Sequence, residues 1–186
     1  MNETLKVIAK RFSCRSYTGE LLSEEQLLAI GNAALASPSS RNSQHWKIIA
    51  INNKQLLDEM NDSAMEHIKA NEPEAYERIL GRGGKVYYNS SCMYLVLTPK
   101  DAHSEVSLDV GIVSQNIAIA ATSLRLGSVI ARMSEYAFIS SAKGEELKKK
   151  VGWSSDYKFG MGIIVGHKSN ENSPHELDPA KFTIVS

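Results

Sequence analysis

Two cysteines, Cys14 and Cys92, are all that the 186 residues contain, so no disulfide framework holds this chain. Neither belongs to a Cys-x-x-Cys pair or has a histidine close by, and a reduced, cytoplasmic setting is the natural expectation. The sequence also lacks a charge imbalance: 21 Lys+Arg stand against 21 Asp+Glu. That removes the electrostatic footprint of a nucleic-acid or acidic-membrane binder and leaves little repulsion against self-association. No membrane span is expected, because the longest apolar stretch, Val106 to Leu126, carries Asp109, Gln115, Asn116 and Arg125. Residues 1–10 are polar and mixed, without the apolar region of a secretory signal. His45, His67, His103, His167 and His175 show no metal-ligand spacing, so no metal site is expected. Repeats and low-complexity tracts are absent too.

What is present suits one domain, residues 1–186, with a real core: hydrophobic residues make up 42%. Ser23-Glu24-Glu25-Gln26 spells a capping box, which starts a helix that stops before Pro38. Short helices are expected over 3–10, 54–70, 72–80 and 143–150. Strands are expected over 46–51, 93–98, 128–131 and 159–165. The segment Glu105 to Leu126 is the longest helix candidate, about 33 Å if continuous. Apolar residues lie nearly all round it, so it asks for burial on every side, and a subunit interface is a reasonable second surface. Gly127 is well placed as its C′ residue. Gly160-x-Gly162 falls inside a strand, where glycines allow close backbone approach, and is no dinucleotide fingerprint. The polar tail 167–186 ends in a strand-like Phe182-Thr183-Ile184-Val185 and would wrap a partner. Helices outnumber strands, which favours an α+β sandwich.

The chemistry concentrates in two segments. In Arg11-Phe12-Ser13-Cys14-Arg15-Ser16-Tyr17, two guanidinium groups four residues apart could reach one phosphate, from one helix turn or from a turn-to-strand bend. Ser13 could add a neutral donor. The plain alternative is an ordinary surface pair. Ser37-Pro38-Ser39-Ser40-Arg41-Asn42-Ser43-Gln44-His45-Trp46 offers small hydroxyls and amides that suit the edge of a planar heterocycle. Its plain alternative is a polar connecting loop. Cys14 reads as a small buried or half-buried residue, the alternative being a thiol made more acidic by the two arginines beside it.

These segments resemble the FMN-dependent nitroreductase family. Arg11-x-Ser13-x-Arg15-x-Tyr17 resembles the family's opening Arg-Arg-Ser-x-Arg-x-Phe, and Ser37 to Trp46 its Ala-Pro-Ser-x-x-Asn-x-Gln-Pro-Trp. The Asp109–Gln115–Asn116–Leu124–Leu126–Gly127 helix resembles its central helix, and Gly160 to His167 its closing strand. The four blocks occur in family order over residues 11–167. His45 stands where the family has proline, Phe12 where it has Arg or His, and Ser173-Pro174-His175-Glu176-Leu177 where it often has Arg-Lys-Pro.

The resemblance implies a mainly antiparallel central sheet flanked by helices, and an intertwined homodimer with FMN at the interface. By match, Arg11, Phe12, Ser13 and Arg15 would meet the phosphate and ribityl chain, with Arg15 also near the pyrimidine edge. Pro38, Ser39, Ser40, Asn42 and Gln44 would reach the partner's FMN. Ile130 and Ala131 would pack near the ring, and Gly166, His167 and Lys168 would return to the phosphate. The implied activity is ping-pong hydride transfer from NADH or NADPH through FMN to a small-molecule acceptor such as a nitroaromatic or quinone. A flavin-handling protein without turnover is the alternative. No catalytic side chain is expected, because the chemistry belongs to the cofactor.

Overall fold

The computed structural model describes residues 1–103, 106–139 and 141–185. Its frame is a four-stranded sheet of β1 (Lys47–Asn52), β2 (Cys92–Pro99), β3 (Gly127–Ile130) and β4 (Tyr157–Gly166). The order is β1-β2-β4-β3, and every neighbouring pair is antiparallel. β2 is buried from Cys92 to Thr98 because helices cover both faces. Its alternation assigns the layers. Met93, Leu95 and Leu97 pack with Leu57, Met60 and Ala64 of α3 (Lys54–Asn71). Cys92, Tyr94 and Val96 pack with Ile30 and Ala34 of α2 (Glu24–Leu35), and with Val110, Val113 and Ile117 of a helix over Val106–Ser123. This three-layer α+β sandwich is the expected one.

α1 (Glu3–Lys10), α4 (Pro73–Leu80) and α6 (Ala142–Lys150) complete the set, and Val106–Ser123 is α5. The capping box closes as read: Ser23 N–H donates to Gln26 Oε1 at 2.9 Å, and Gln26 N–H to Ser23 Oγ at 3.2 Å. Gly160 is the extra residue where the β2–β4 register shifts. A Cβ on Gly162 would sit 2.4 Å from Ser134.

Three expectations need correction. The central helix ends at Ser123, three residues short of Leu126, while Glu105, its expected start, lies outside the described residues. Its cap is a Schellman turn with Leu126 N–H on Ala121 C=O and Arg125 N–H on Thr122 C=O. The left-handed residue is therefore Arg125, at φ 61°, and Gly127 serves another purpose. Within one chain the helix leaves Leu108 68% and Ile112 37% exposed, a face open to the second burial surface expected of it. Finally, residues 182–185 form no strand. They follow a 3₁₀ turn at Pro179–Lys181 as exposed, extended chain that pairs with no strand among the described residues.

Candidate functional site

α1 stops at Lys10, and Arg11 turns the backbone to an extended φ −64°, ψ 128°. From there the chain runs beside β3. Ser13 forms a parallel bridge with Ser128, and Cys14 N–H donates to Ser128 C=O at 2.9 Å. It next meets the segment leaving β4, where Thr18 N–H donates to His167 C=O at 3.0 Å and Ser169 N–H to Ser16 C=O at 3.1 Å. An extended chain alternates its side chains. Cys14 is accordingly fully buried, while Arg11 and Ser13 are half-buried and Arg15 is exposed. The Arg-x-Ser-x-Arg spacing thus puts all three polar residues on one side of a strand-like segment, not on a helix turn. Tyr17 anchors the far end, buried, with its hydroxyl donating to Cys14 C=O at 3.0 Å. Burial and the neighbouring Cys14 sulfur push its phenol well above the ordinary range, so it is a fixed donor and not a proton carrier.

Gly127 makes this contact possible. A Cβ there would lie 2.6 Å from Cys14 Sγ and 2.8 Å from Lys168 Cγ, so only glycine lets the Arg11–Tyr17 segment, β3 and the post-β4 segment close together.

The result is a cleft of about 480 Å³ lined by Arg11, Phe12, Ser13 and Arg15 on one side, and by Asn172, Ser173 and His175 on the other. No carboxylate of the described residues lines it. Among the described residues neither arginine has a salt-bridge partner, so both guanidinium groups are available to an anion. Ser128 Oγ, buried beside Ser13, has no hydrogen-bond partner among the described residues. Lys168 is close, 5.7 Å over the Phe12 ring, but its ammonium pairs with Glu171 at 2.6 Å. His167 is half-buried, its C=O taken by the Thr18 N–H. Gly166 is buried against Tyr17 and Ser90 and does not line the cleft. Ile130, 41% exposed, ends β3, and Ala131 N–H donates to Gly162 C=O at 2.8 Å.

The second polar segment lies elsewhere. Pro38, Ser39, Ser40, Asn42 and Gln44 form a loop at the N-terminal part of α5, where Ser40 N–H donates to Asp109 at 3.0 Å. The Arg11–Arg15 segment sits beyond the C-terminal end of α5. Asp109 and Ser123 are about 21 Å apart at 1.5 Å per residue. One chain therefore does not bring its two polar segments together. Arg41, Asn42 and Gln44 take φ values of 54°, 55° and 48°, and the loop is stitched internally by Gln44 N–H to Ser39 Oγ at 2.9 Å and Gln44 Nε2 to Asn42 at 3.0 Å.

Both thiols are expected to stay silent in the native protein. Cys14 is sealed under Gly127, and burial pushes the Cys92 thiol up to about 12. A disulfide-exchange titration should count no fast thiol when folded and two in denaturant. One fast native thiol would show the Arg11–Tyr17 segment lifting from β3.

Residues 8–167 match the Nitroreductase family. The chain belongs to that family. It is 29% identical over 182 residues to an Archaeoglobus fulgidus protein provisionally named NADH dehydrogenase/NAD(P)H nitroreductase, covering 96% of this chain and 92% of that one. Among solved structures, a nitroreductase with bound FMN from Desulfitobacterium hafniense DCB-2 is 38% identical, with a TM-score of 0.93 over 100% of both chains. A nitroreductase with bound FMN from Bacteroides fragilis NCTC 9343 shares 22% identity and a TM-score of 0.86 over 100% of both chains, a likeness of fold.

Within this nitroreductase frame, several residues near the two segments escape a sequence reading. Asp109 and Asn116 carry the polar loop, Asn116 Nδ2 donating to Ser37 Oγ at 2.9 Å. Their signal was polarity inside an otherwise apolar helix. Asn172, Ser173 and His175 bring the tail back to the arginine cleft. The signal there was the Ser173–Leu177 stretch itself, where the sequence departs from the family's frequent Arg-Lys-Pro.

Proposed function

We propose that this chain binds FMN and works as an NAD(P)H-dependent oxidoreductase on small acceptors such as nitroaromatics or quinones. The observation that carries this reading is the cleft of Arg11, Ser13 and Arg15, cationic, free of carboxylates and built by a segment whose backbone is fixed at both ends. The FMN in the Desulfitobacterium hafniense relative supports the same cofactor here.

In this reading Arg11 and Arg15 hold the phosphate with forked, permanently charged donors, Ser13 adds a hydroxyl, and His175 and Asn172 close the opposite wall. Arg15 also offers positive charge to the ring's polar edge. Bound FMN would supply the two-electron chemistry, accepting hydride from NADH or NADPH and passing it to the acceptor in a ping-pong sequence. Ile130 and Ala131 give an apolar shelf at the end of β3.

The Ser39–Gln44 loop serves the FMN of a second copy, since it stands too far from its own chain's arginines. The functional unit is accordingly a homodimer, each chain one domain, with the part of its 167–186 tail beyond His175 reaching across. Exposed Leu5, Ile8, Leu28, Leu35, Leu108 and Ile112 on α1, α2 and α5 support cover by that partner. No helix of the described residues is long and apolar enough to cross a membrane, and a cytoplasmic reductase is the reading we adopt.

The test is the visible spectrum of the purified protein before and after FMN is added, followed by NADH and NADPH oxidation with menadione as acceptor. We expect flavin absorption that survives desalting, and turnover. A colourless protein that takes up no FMN would refute the proposal.

A further inference from the structure

We propose that Asp109 is the positioning residue that holds the Ser39–Gln44 loop in its working shape, and so helps place a cofactor it does not itself touch. The loop-holding half stands on geometry alone, whereas the cofactor half rests on the function proposed above.

Three observations converge on Asp109. First, its side chain is buried, at 3% exposure, within a helix whose other inward positions are mostly apolar. A carboxylate is seldom kept there without a specific partner. Second, one oxygen accepts the Ser40 N–H at 3.0 Å, while Oδ2 has no hydrogen-bond partner among the described residues. Third, the loop it grips is held in sparsely populated backbone. Arg41, Asn42 and Gln44 all have positive φ, and none is glycine.

Such a conformation persists only when its surroundings over-determine it. Most of the loop's other bonds are internal: Asn42 N–H to Ser39 C=O, Ser43 N–H to Ser40 C=O, and the two from Gln44. Those would travel with the loop if it swung away. Among the described residues, the side-chain hydrogen bonds that tie it to the rest of the molecule are Asn116 to Ser37 at the loop's entrance, the 3.3 Å contact of Ser43 Oγ with His103 Nε2, and Asp109. Of these, the Asp109 tie is the one that runs from a well-formed helix to the backbone of the strained turn. A backbone acceptor could not serve, because the carbonyls of α5 are used within the helix.

The experiment compares wild type, Asp109→Ala and Asp109→Asn. Trypsin cleavage after exposed Arg41, followed by mass spectrometry, reads the loop; FMN titration reads the cofactor. Asp109→Ala should be cut after Arg41 about tenfold faster and bind FMN about tenfold more weakly, the loss of one hydrogen bond to a charged group. Asp109→Asn keeps an oxygen for the Ser40 N–H and should return both values to within about twofold of wild type. That rescue separates positioning from general damage to the helix.

If Asp109→Ala fails to fold, Ser40→Pro removes the donor and leaves the carboxylate in place. Ser39, at φ −140° and ψ 157°, already has the extended form that precedes proline. The same acceleration at Arg41 is expected. Unchanged cleavage in both variants, or an Asp109→Asn protein as loose as Asp109→Ala, overturns the proposal. Faster cleavage with unchanged FMN affinity overturns its cofactor half. FMN affinity that also ignores loss of Arg11 and Arg15 would instead overturn the proposed function.

Discussion

Replacing Arg11 and Arg15 together by alanine is expected to weaken FMN binding by about a hundred- to ten-thousandfold while leaving the apoprotein's melting temperature nearly unchanged. Each guanidinium faces the cleft without a carboxylate partner, so its charge is uncommitted in the folded chain. A charge-assisted hydrogen bond contributes about 1.5–3 kcal/mol, and two such losses give about 3–6 kcal/mol. Each single substitution should cost about ten- to a hundredfold. Arg15→Lys should recover only part of the loss, because an ammonium lacks the planar fork. Stability should move by less than about 0.5 kcal/mol, the usual size for a surface change that breaks no network. The measurement is FMN fluorescence titration beside thermal melts of the apoprotein. A double variant that keeps its FMN would show that the anion is held elsewhere, whereas one that loses several degrees would show that the arginines are structural.

The second large effect is expected at Gly127. Gly127→Ala should destabilise the protein by about 1–3 kcal/mol, the usual toll of an extra methyl in a packed site, and weaken FMN binding alongside. The new Cβ would fall 2.6 Å from Cys14 Sγ, 2.8 Å from Cys14 Cβ and 2.8 Å from Lys168 Cγ. Cys14 cannot retreat, since its N–H is bonded to Ser128 C=O and its carbonyl to the Tyr17 hydroxyl. The strain must therefore lift the segment that carries Arg11, Ser13 and Arg15. Gly31, in α2, has nothing within 4 Å of the same position. Gly31→Ala should thus stabilise by about 0.5–1 kcal/mol through helix propensity. Opposite signs from one chemical change would isolate close approach as the cause, whereas an unchanged urea midpoint for Gly127→Ala would defeat the argument.

Where local chemistry decides, the sequence was legible. Ser23 and Gln26 announced the start of α2, and β2 showed in the apolar run from Met93 to Leu97. Ends governed by tertiary contact were not legible. Gly127 has the residue type of a helix cap, yet its reason for being glycine is Cys14, more than a hundred positions away. Arg125 takes the left-handed cap although nothing in an arginine asks for it. In the polar segments, the residue types could be read, but not the extended backbone that aligns Arg11, Ser13 and Arg15, which depends on a bridge to Ser128. Asp109 was visible only as an oddity, because its meaning lies in the Ser40 N–H.

The separation of the two polar segments along α5 makes each proposed site a composite of two chains. Consider a hybrid dimer in which one subunit lacks Arg11 and Arg15 and the other lacks Ser39 and Asn42. One of its sites collects both lesions, while the other receives intact arginines from the second subunit and an intact loop from the first. Two inactive variants, mixed and allowed to exchange subunits, would then regain activity in the hybrids. Such complementation between alleles is a genetic signature written by the length of one helix.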